Sequence, residues 1–492
     1  MKSSSRGLRL PLVRLCALLA AAAACSSPTH PRDPAGVKVL SGASVSDSAT
    51  AVLAQPLVVE VRDSAGKLMA GVNVQFQAST LNLNGFDYPS LLFSTVPGQY
   101  FPVATATTDA TGRVAVSVML GRVAGAATVN ITVPTLGYAT SATFSVVPGA
   151  PAHFDLSPAD SAVYVGSSYA LRSRFLDRWG NPVTAPGVTY TSSAAAATVS
   201  GGSVNGVSVG RAQIVAQTAG GGVADTVFVS VVPQGTLLAS SGDGIYVFGL
   251  DGSGMRRVVT AVGARAARWF PNGQQFVYTL GLGHAYVSDL NGSVHTLLQD
   301  PSSSFQGEIW AHPSRDGQWV YFGGYSGFEF RGYPYRVHPD GTGLSLVPGF
   351  VPDDRTQAHP SASPTGDRVA YFRERSDSRD VVIRVQRLDG TFSALDIPGH
   401  SPEWSHGDSI AFLDLQGRSE GPIKLMASNG TGQRYVGTAS SYYDFGIDWS
   451  PDDKFIVARE VFRGRLELIE VATGRIIPLP YSSALSSPAW HP

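Results

Sequence analysis

The chain has 492 residues, 43% of them hydrophobic, with 54 Gly, 32 Pro and 15% charged residues. That length exceeds what one hydrophobic core serves, so two to four domains are expected, and the turn-rich composition favours β structure over a helical or disordered chain. Lys plus Arg number 36 against 37 Asp plus Glu, a balance that lacks the basic excess of nucleic-acid binders and so excludes DNA and RNA as expected partners.

Lys2, Arg6, Arg9 and Arg14 precede the apolar run Leu15 to Ala24, too short to span a bilayer as a mature helix, so residues 1–25 read as an export signal. The run ends Ala22-Ala23-Ala24-Cys25-Ser26 and resembles the lipobox of bacterial lipoproteins. That resemblance implies lipidation of Cys25 and a membrane-anchored protein of the cell envelope, on the periplasmic or surface side of the outer membrane. Ala22 stands where that family most often has Leu, which leaves a plain secretory signal as the alternative. Cys16 would leave with the signal, so no intramolecular disulfide is expected in the mature chain. Residues 26–36, with Pro28, Pro31 and Pro34, make a stiff polar tether of roughly 30 Å if extended.

From residue 37 to 149 short alternating runs are separated by turn residues. Leu57 to Val61, Val72 to Phe76, Val114 to Val116, Ala127 to Val133 and Ala142 to Val147 read as strands, and about seven such strands suit a β-sandwich. The run Val59 to Gln77 and the turn Thr108 to Ala115 resemble the bacterial immunoglobulin-like domains of invasin and intimin type. A second unit, residues 150–234, contains Phe175 to Val183, Tyr190-Thr191-Ser192-Ser193, Ala197-Thr198-Val199 and Ala212 to Ala216. It resembles the group-two bacterial immunoglobulin-like domain. Asp63 and Asp177 are expected to cap turns rather than to bind calcium.

Residues 235–492 repeat at a period of 40 to 50 residues. Asp251-Gly252, Asn291-Gly292, Asp340-Gly341, Asp389-Gly390, Asn429-Gly430 and Thr473-Gly474 place their glycines 40, 49, 49, 40 and 44 apart. A second element precedes a hydrophobic strand, most clearly at Trp269 to Gly273, Pro313 to Gly317, Trp404 to Gly407 and Trp449 to Asp453. These residues resemble the TolB-type, WD-repeat-like propeller repeat. The chain ends on an inner strand, Ser486 to Trp490, and the domain opens on a middle strand, Gly235 to Ser240. Pairing the two would close a six-bladed β-propeller. The expected fold is therefore all-β, two immunoglobulin-like β-sandwiches followed by the propeller.

No nucleophile elbow, zinc-protease helix, Cys-x-x-Cys pair or P-loop is present, and no metal or other cofactor is expected. His359 and His400 fall near the starts of adjacent inner strands and are candidates to face the central channel beside Arg265, Glu308 and Asp444. The longer repeats carry extra residues in two connection classes that open on one face of a propeller. That face is the candidate ligand surface, with Tyr325, Phe328, Phe330, Arg331, Tyr333, Asp353, Arg355, Arg373, Arg375, Tyr442 and Tyr443. Aromatic and arginine side chains suit protein hot spots or stacking on sugars. The expectation is a non-enzymatic envelope lipoprotein whose propeller binds a protein or glycan. The alternative is a hydrolase or lyase acting on polysaccharide or peptide in the channel.

Overall fold

The computed structural model describes residues 34–281, 284–291, 296–297, 305–306, 310–326, 332–350, 357–374, 380–414 and 420–492. Its described residues form strands and turns, with one short 3-10 segment at Pro480–Ser482. None of the described helical structure is long and apolar enough to cross a membrane. The chain divides into two compact units, one reaching Ala150 and including the turn Asp177–Asn181, the other made of Pro151–Leu176 and Pro182–Pro492.

In the first unit two five-stranded sheets enclose one core. One sheet runs in the order Gly36–Ser41, Leu57–Arg62, Arg113–Leu120, Leu91–Val96 and Gln99–Phe101. The other runs Ser46–Ser48, Tyr138–Val147, Gly125–Val133, Asn73–Ala78 and Val103–Thr107. Alternation along Arg113–Leu120 turns Val114, Val116, Val118 and Leu120 inward and leaves the intervening side chains outside, as a half-buried strand requires. Phe76 and Phe93 meet across the two sheets with ring centroids 6.0 Å apart. Asp63 Oδ1 accepts the amides of Ala65 and Lys67, and Asp177 Oδ1 those of Trp179 and Asn181, so both carboxylates close turns.

The second unit begins with a smaller sandwich. A four-stranded sheet, Asp160–Tyr164, Ala224–Val232, Gly210–Thr218 and Val188–Ser192, shares a core with a three-stranded sheet and with the pair Pro151–Ser157 and Arg172–Asp177. Phe154 stacks on Phe175 at 4.4 Å.

The rest of this unit is a ring of six sheets, numbered here blades I to VI. The inner strands are Ser486–Trp490 (I), Ala264–Trp269 (II), His312–Pro313 (III), Gln357–Ala362 (IV), His400–Trp404 (V) and Tyr443–Trp449 (VI). Blade I joins the two ends of the domain: Leu237 pairs with Trp490, Leu238 with Ala489 and Ser240 with Ser486. This is the expected closure, and it leaves no open sheet edge where the ring begins and ends. The fold is a six-bladed β-propeller.

Local chemistry explains the repeat. In the turn after the inner strands of blades III, IV and VI a serine hydroxyl accepts the amide five residues on: Trp319 to Ser314 (2.9 Å), Arg368 to Ser363 (3.0 Å) and Phe455 to Ser450 (2.9 Å). In the outer turns Asp340, Asp389 and Asn429 accept the amides of Thr342, Thr391 and Thr431. The glycine between them sits at a φ of 81° to 85°, where a side chain would be strained. Trp269, Trp404, Trp449 and Trp490 end their inner strands buried between neighbouring blades.

Candidate central channel and its mouth

The inner strands of blades II, IV, V and VI each carry a bulge. The register slips between Arg265 and Arg268, Ala358 and Ser361, His400 and Glu403, and Tyr443 and Ile447. Within these bulges, and in the inner strand of blade I, Ala266, His359, Ser401 and Ser487 take positive φ values of 47° to 53°. Past the bulge, the residue preceding the inner-strand Trp, or its Pro313 or Ala362 counterpart, comes from each blade in turn: Arg268, His312, Ser361, Glu403, Asp448 and Ala489. These six form a belt around the channel.

The belt is tied from blade to blade. Arg268 of blade II donates through Nη1 to Pro488 O of blade I (3.0 Å) and through Nη2 to Ile447 O of blade VI (3.1 Å). Glu403 of blade V accepts from His312 of blade III (2.7 Å) and from Ser361 of blade IV (3.2 Å), both on Oε1. Asp448 of blade VI accepts the Trp490 amide of blade I at 2.7 Å. Burial alone would push the Glu403 carboxyl up, but the His312 contact, with Arg268 and Arg315 nearby, outweighs it and holds the carboxyl below its ordinary range. Asp448 is raised, chiefly by burial.

Above and below the belt lie two cavities. The one toward the inner-strand starts is walled by Trp310, His359, Ser401, Phe445 and Ile447, with Arg268, His312 and Glu403 at its floor. The other opens among Pro271, Ser314, Arg315, His406 and Pro451. Arg268, His312 and Glu403 line both, so the belt stands between them.

The structure brings His359 and His400 together, their rings 5.2 Å apart, with Ser401 Oγ 2.7 Å from His400 Nδ1 and 3.3 Å from His359 Nδ1. Phe372 lies 3.6 Å and Phe445 4.6 Å from the His400 ring, and His359 stacks on Trp310 at 4.3 Å. Burial pushes His400 down to about 3. Burial, then the neighbouring His400 and Arg268, puts His359 well below the usual histidine range. Both rings are therefore neutral near pH 7.

The other channel candidates stand differently. Arg265 turns back to Gly281 O at 3.4 Å, and Asp444, raised by burial, pairs with Arg459 at 3.2 Å. Glu308 lies outside the described residues. On the candidate face, Tyr443 is a correction: it is 0% exposed, packed between blades V and VI, with its hydroxyl 3.3 Å from Glu467. Alternation along the strand sends it inward. Arg373 is buried as well and pairs with Asp396 at 2.7 Å, so it too is withdrawn from the surface. Tyr333 packs on Phe350, and Tyr442 meets Phe462 edge-on at 5.5 Å. Phe328, Phe330, Arg331, Asp353, Arg355, Arg375 and the Tyr325 side chain lie outside the described residues, as does Cys25.

Sequence reasoning missed Arg268, His312, Glu403 and Asp448. It also missed Phe462, 75% exposed beside Tyr442, and Val262, 84% exposed before the blade II inner strand. Both occupy connections at the end of the ring where the inner strands start. Among the described residues no group of three or more His, Cys, Asp or Glu could hold a metal ion.

No protein-family model and no curated protein matches the sequence. Solved propellers resemble it in structure. TolB from Acinetobacter baumannii is 14% identical with a TM-score of 0.41, covering 57% of this chain and 79% of its own. A putative TolB from Agrobacterium tumefaciens is 17% identical with a TM-score of 0.41, covering 50% of this chain and 89% of its own. An oligogalacturonate lyase from Vibrio parahaemolyticus is 11% identical with a TM-score of 0.33, covering 49% and 84%. At these scores the propeller rests on the chain's own strand pairing.

Proposed function

We infer that the protein is a non-enzymatic, partner-binding propeller of the bacterial envelope. In this reading the chain is exported, lipidated at Cys25 and carried on two immunoglobulin-like sandwiches. The partner is a protein or a glycan that seats on the channel mouth. The observation that carries the reading is that Phe462 and Val262 stand exposed, with half-buried Tyr442 against Phe462, on connections at the end of the ring where the inner strands start.

The hydrolase reading has one observation in its favour, the placement of Ser401 between two histidines. Its chemistry argues against it. A histidine held at about 3 is a weak base near neutral pH. The positive φ at Ser401 recurs at Ala266 and Ser487, so it belongs to the bulge of the repeat and marks no strained nucleophile. Capture from envelope extract by the full mature chain tests the proposal. Capture is expected to fall about tenfold or more in Tyr442→Ala with Phe462→Ser while thermal melting is unchanged. Undiminished capture removes this face from the account.

A further inference from the structure

Only Pro233, Gln234 and Gly235 separate the last strand of the second sandwich, Ala224–Val232, from Thr236–Ser241 of blade I, the strand that closes the ring against Ser486–Trp490. Val232 is fully buried, and with half-buried Tyr164 and Val209 of the sandwich it packs into a core made by blades VI and I, among Phe248, Leu466 and Ile477. Two tyrosines converge on one turn of blade I. Tyr164, at the end of the sandwich strand Asp160–Tyr164, donates its hydroxyl to Gly235 O at 3.1 Å. That hydroxyl, Asp251 Oδ1 and Ser253 Oγ all lie within 2.9 Å of the place a Cβ on Gly249 would take, so the turn leaves room for the tyrosine only because it has no side chain there. Tyr481, in the connection from blade VI to the inner strand of blade I, donates to Leu250 O at 2.6 Å, and its ring edge lies 2.7 Å from where a Cβ on Gly252 would stand. From blade VI, Arg475 lies against Gly210 of the sandwich, its Nη1 3.2 Å from the Cβ position there. The sandwich thus touches both blades that meet where the ring closes.

We propose that the second sandwich is a clasp on the closing seam of the propeller, holding blade I to blade VI where the two ends of the ring meet. Blades II to VI are each one continuous stretch of chain, so their strands stay near one another when hydrogen bonds break. Blade I is assembled from residues 236–260 and 486–490, and its pairing alone keeps the ring shut. That pairing is short, and its register slips between Leu238 and Ser240. The sandwich adds buried apolar contact and a tyrosine hydrogen bond at this point, both of which are lost if blade I parts from blade VI. Chain tension arriving from the N-terminal side enters at Gly235 and would draw on the closing strand itself. Tyr164 and Val209 grip the blades before that residue is reached, so the load falls on the sandwich contact first. The clasp does not depend on what the mouth binds.

Native-state hydrogen exchange on the full mature chain, read by mass spectrometry, tests the seam directly. Tyr164→Ala with Val209→Ser removes the contacts of the clasp and alters no propeller residue. Exchange of the 236–241 and 486–490 segments is expected to quicken about tenfold or more, while the Arg368–Glu374 strand of blade IV, across the ring, changes by less than about twofold. Tyr164→Phe keeps the ring and loses only the hydroxyl, and should quicken the seam roughly threefold. Gln213→Ala, at an exposed position of the same sandwich, should leave both segments at the native rate. Seam exchange that is unchanged in the double variant, or that quickens equally in blade IV, overturns the proposal. Should the double variant fail to fold, Tyr164→Phe decides by the same comparison.

Discussion

Acid should weaken the propeller through His400, and a single substitution isolates the effect. His400 sits between Phe372 and Phe445 with its protonated form disfavoured, at about 3 in the fold against 6.5 for an ordinary histidine. The folded-state value is depressed for a group that gains charge on protonation, so the unfolded chain binds more protons between the two values. Stability from this group is therefore fully present above about pH 6.5 and is lost as pH falls toward 3. Between pH 8 and 4.5 the loss amounts to roughly 2–3 kcal/mol. His400→Phe keeps an aromatic ring in the slot and removes the titration, at a cost of about 1 kcal/mol for the Ser401 hydrogen bond at pH 8. Urea unfolding of both proteins across this range should show the variant less stable at pH 8 and more stable at pH 4.5. Asp444, Asp448 and Glu467, all raised by burial, titrate in both proteins and largely drop out of the difference. A stability difference that stays constant with pH would refute the reasoning.

Two further outcomes follow from the ring. Deleting residues 484–492 removes the inner strand of blade I, leaves the edge of Thr236–Ser241 unpaired and uncovers the neighbouring inner strands of blades II and VI, so the propeller transition should disappear from thermal melting. Arg268→Ala leaves the buried carbonyls of Pro488 and Ile447 without their donor, and should cost about 2–4 kcal/mol by urea unfolding.

Much of the fold was legible because the repeat is chemical. The Ser and Asp-Gly turns recur for hydrogen-bonding reasons that leave their residues in the sequence, and the unmatched strands at either end of the domain foretold their pairing. The channel was less legible because the inner-strand bulge adds a residue and shifts the alternation. The candidates drawn from histidines and nearby charges therefore fell at three different levels of the repeat. Arg265 and His400 share one level, His359 lies one residue further along the repeat, and Asp444 lies one residue before the level of Arg265. Aligning the blades on the end of each inner strand instead places Arg268, His312, Ser361, Glu403, Asp448 and Ala489 at one position, where the belt is found. Tyr442 and Tyr443 show the same parity at the mouth, adjacent in sequence with only the first reaching the surface. Val262 and Phe462 sit in short connections and gave no signal, since a single apolar residue in a turn is unremarkable in sequence.

The claim that the partner seats on the mouth is tested most directly by photo-crosslinking on intact cells. A photoreactive residue at Phe462 is compared with one at Pro451, beside the cavity on the other side of the belt. The account predicts a discrete adduct from Phe462 and none from Pro451. An adduct from Pro451 alone, or from neither position, would contradict it.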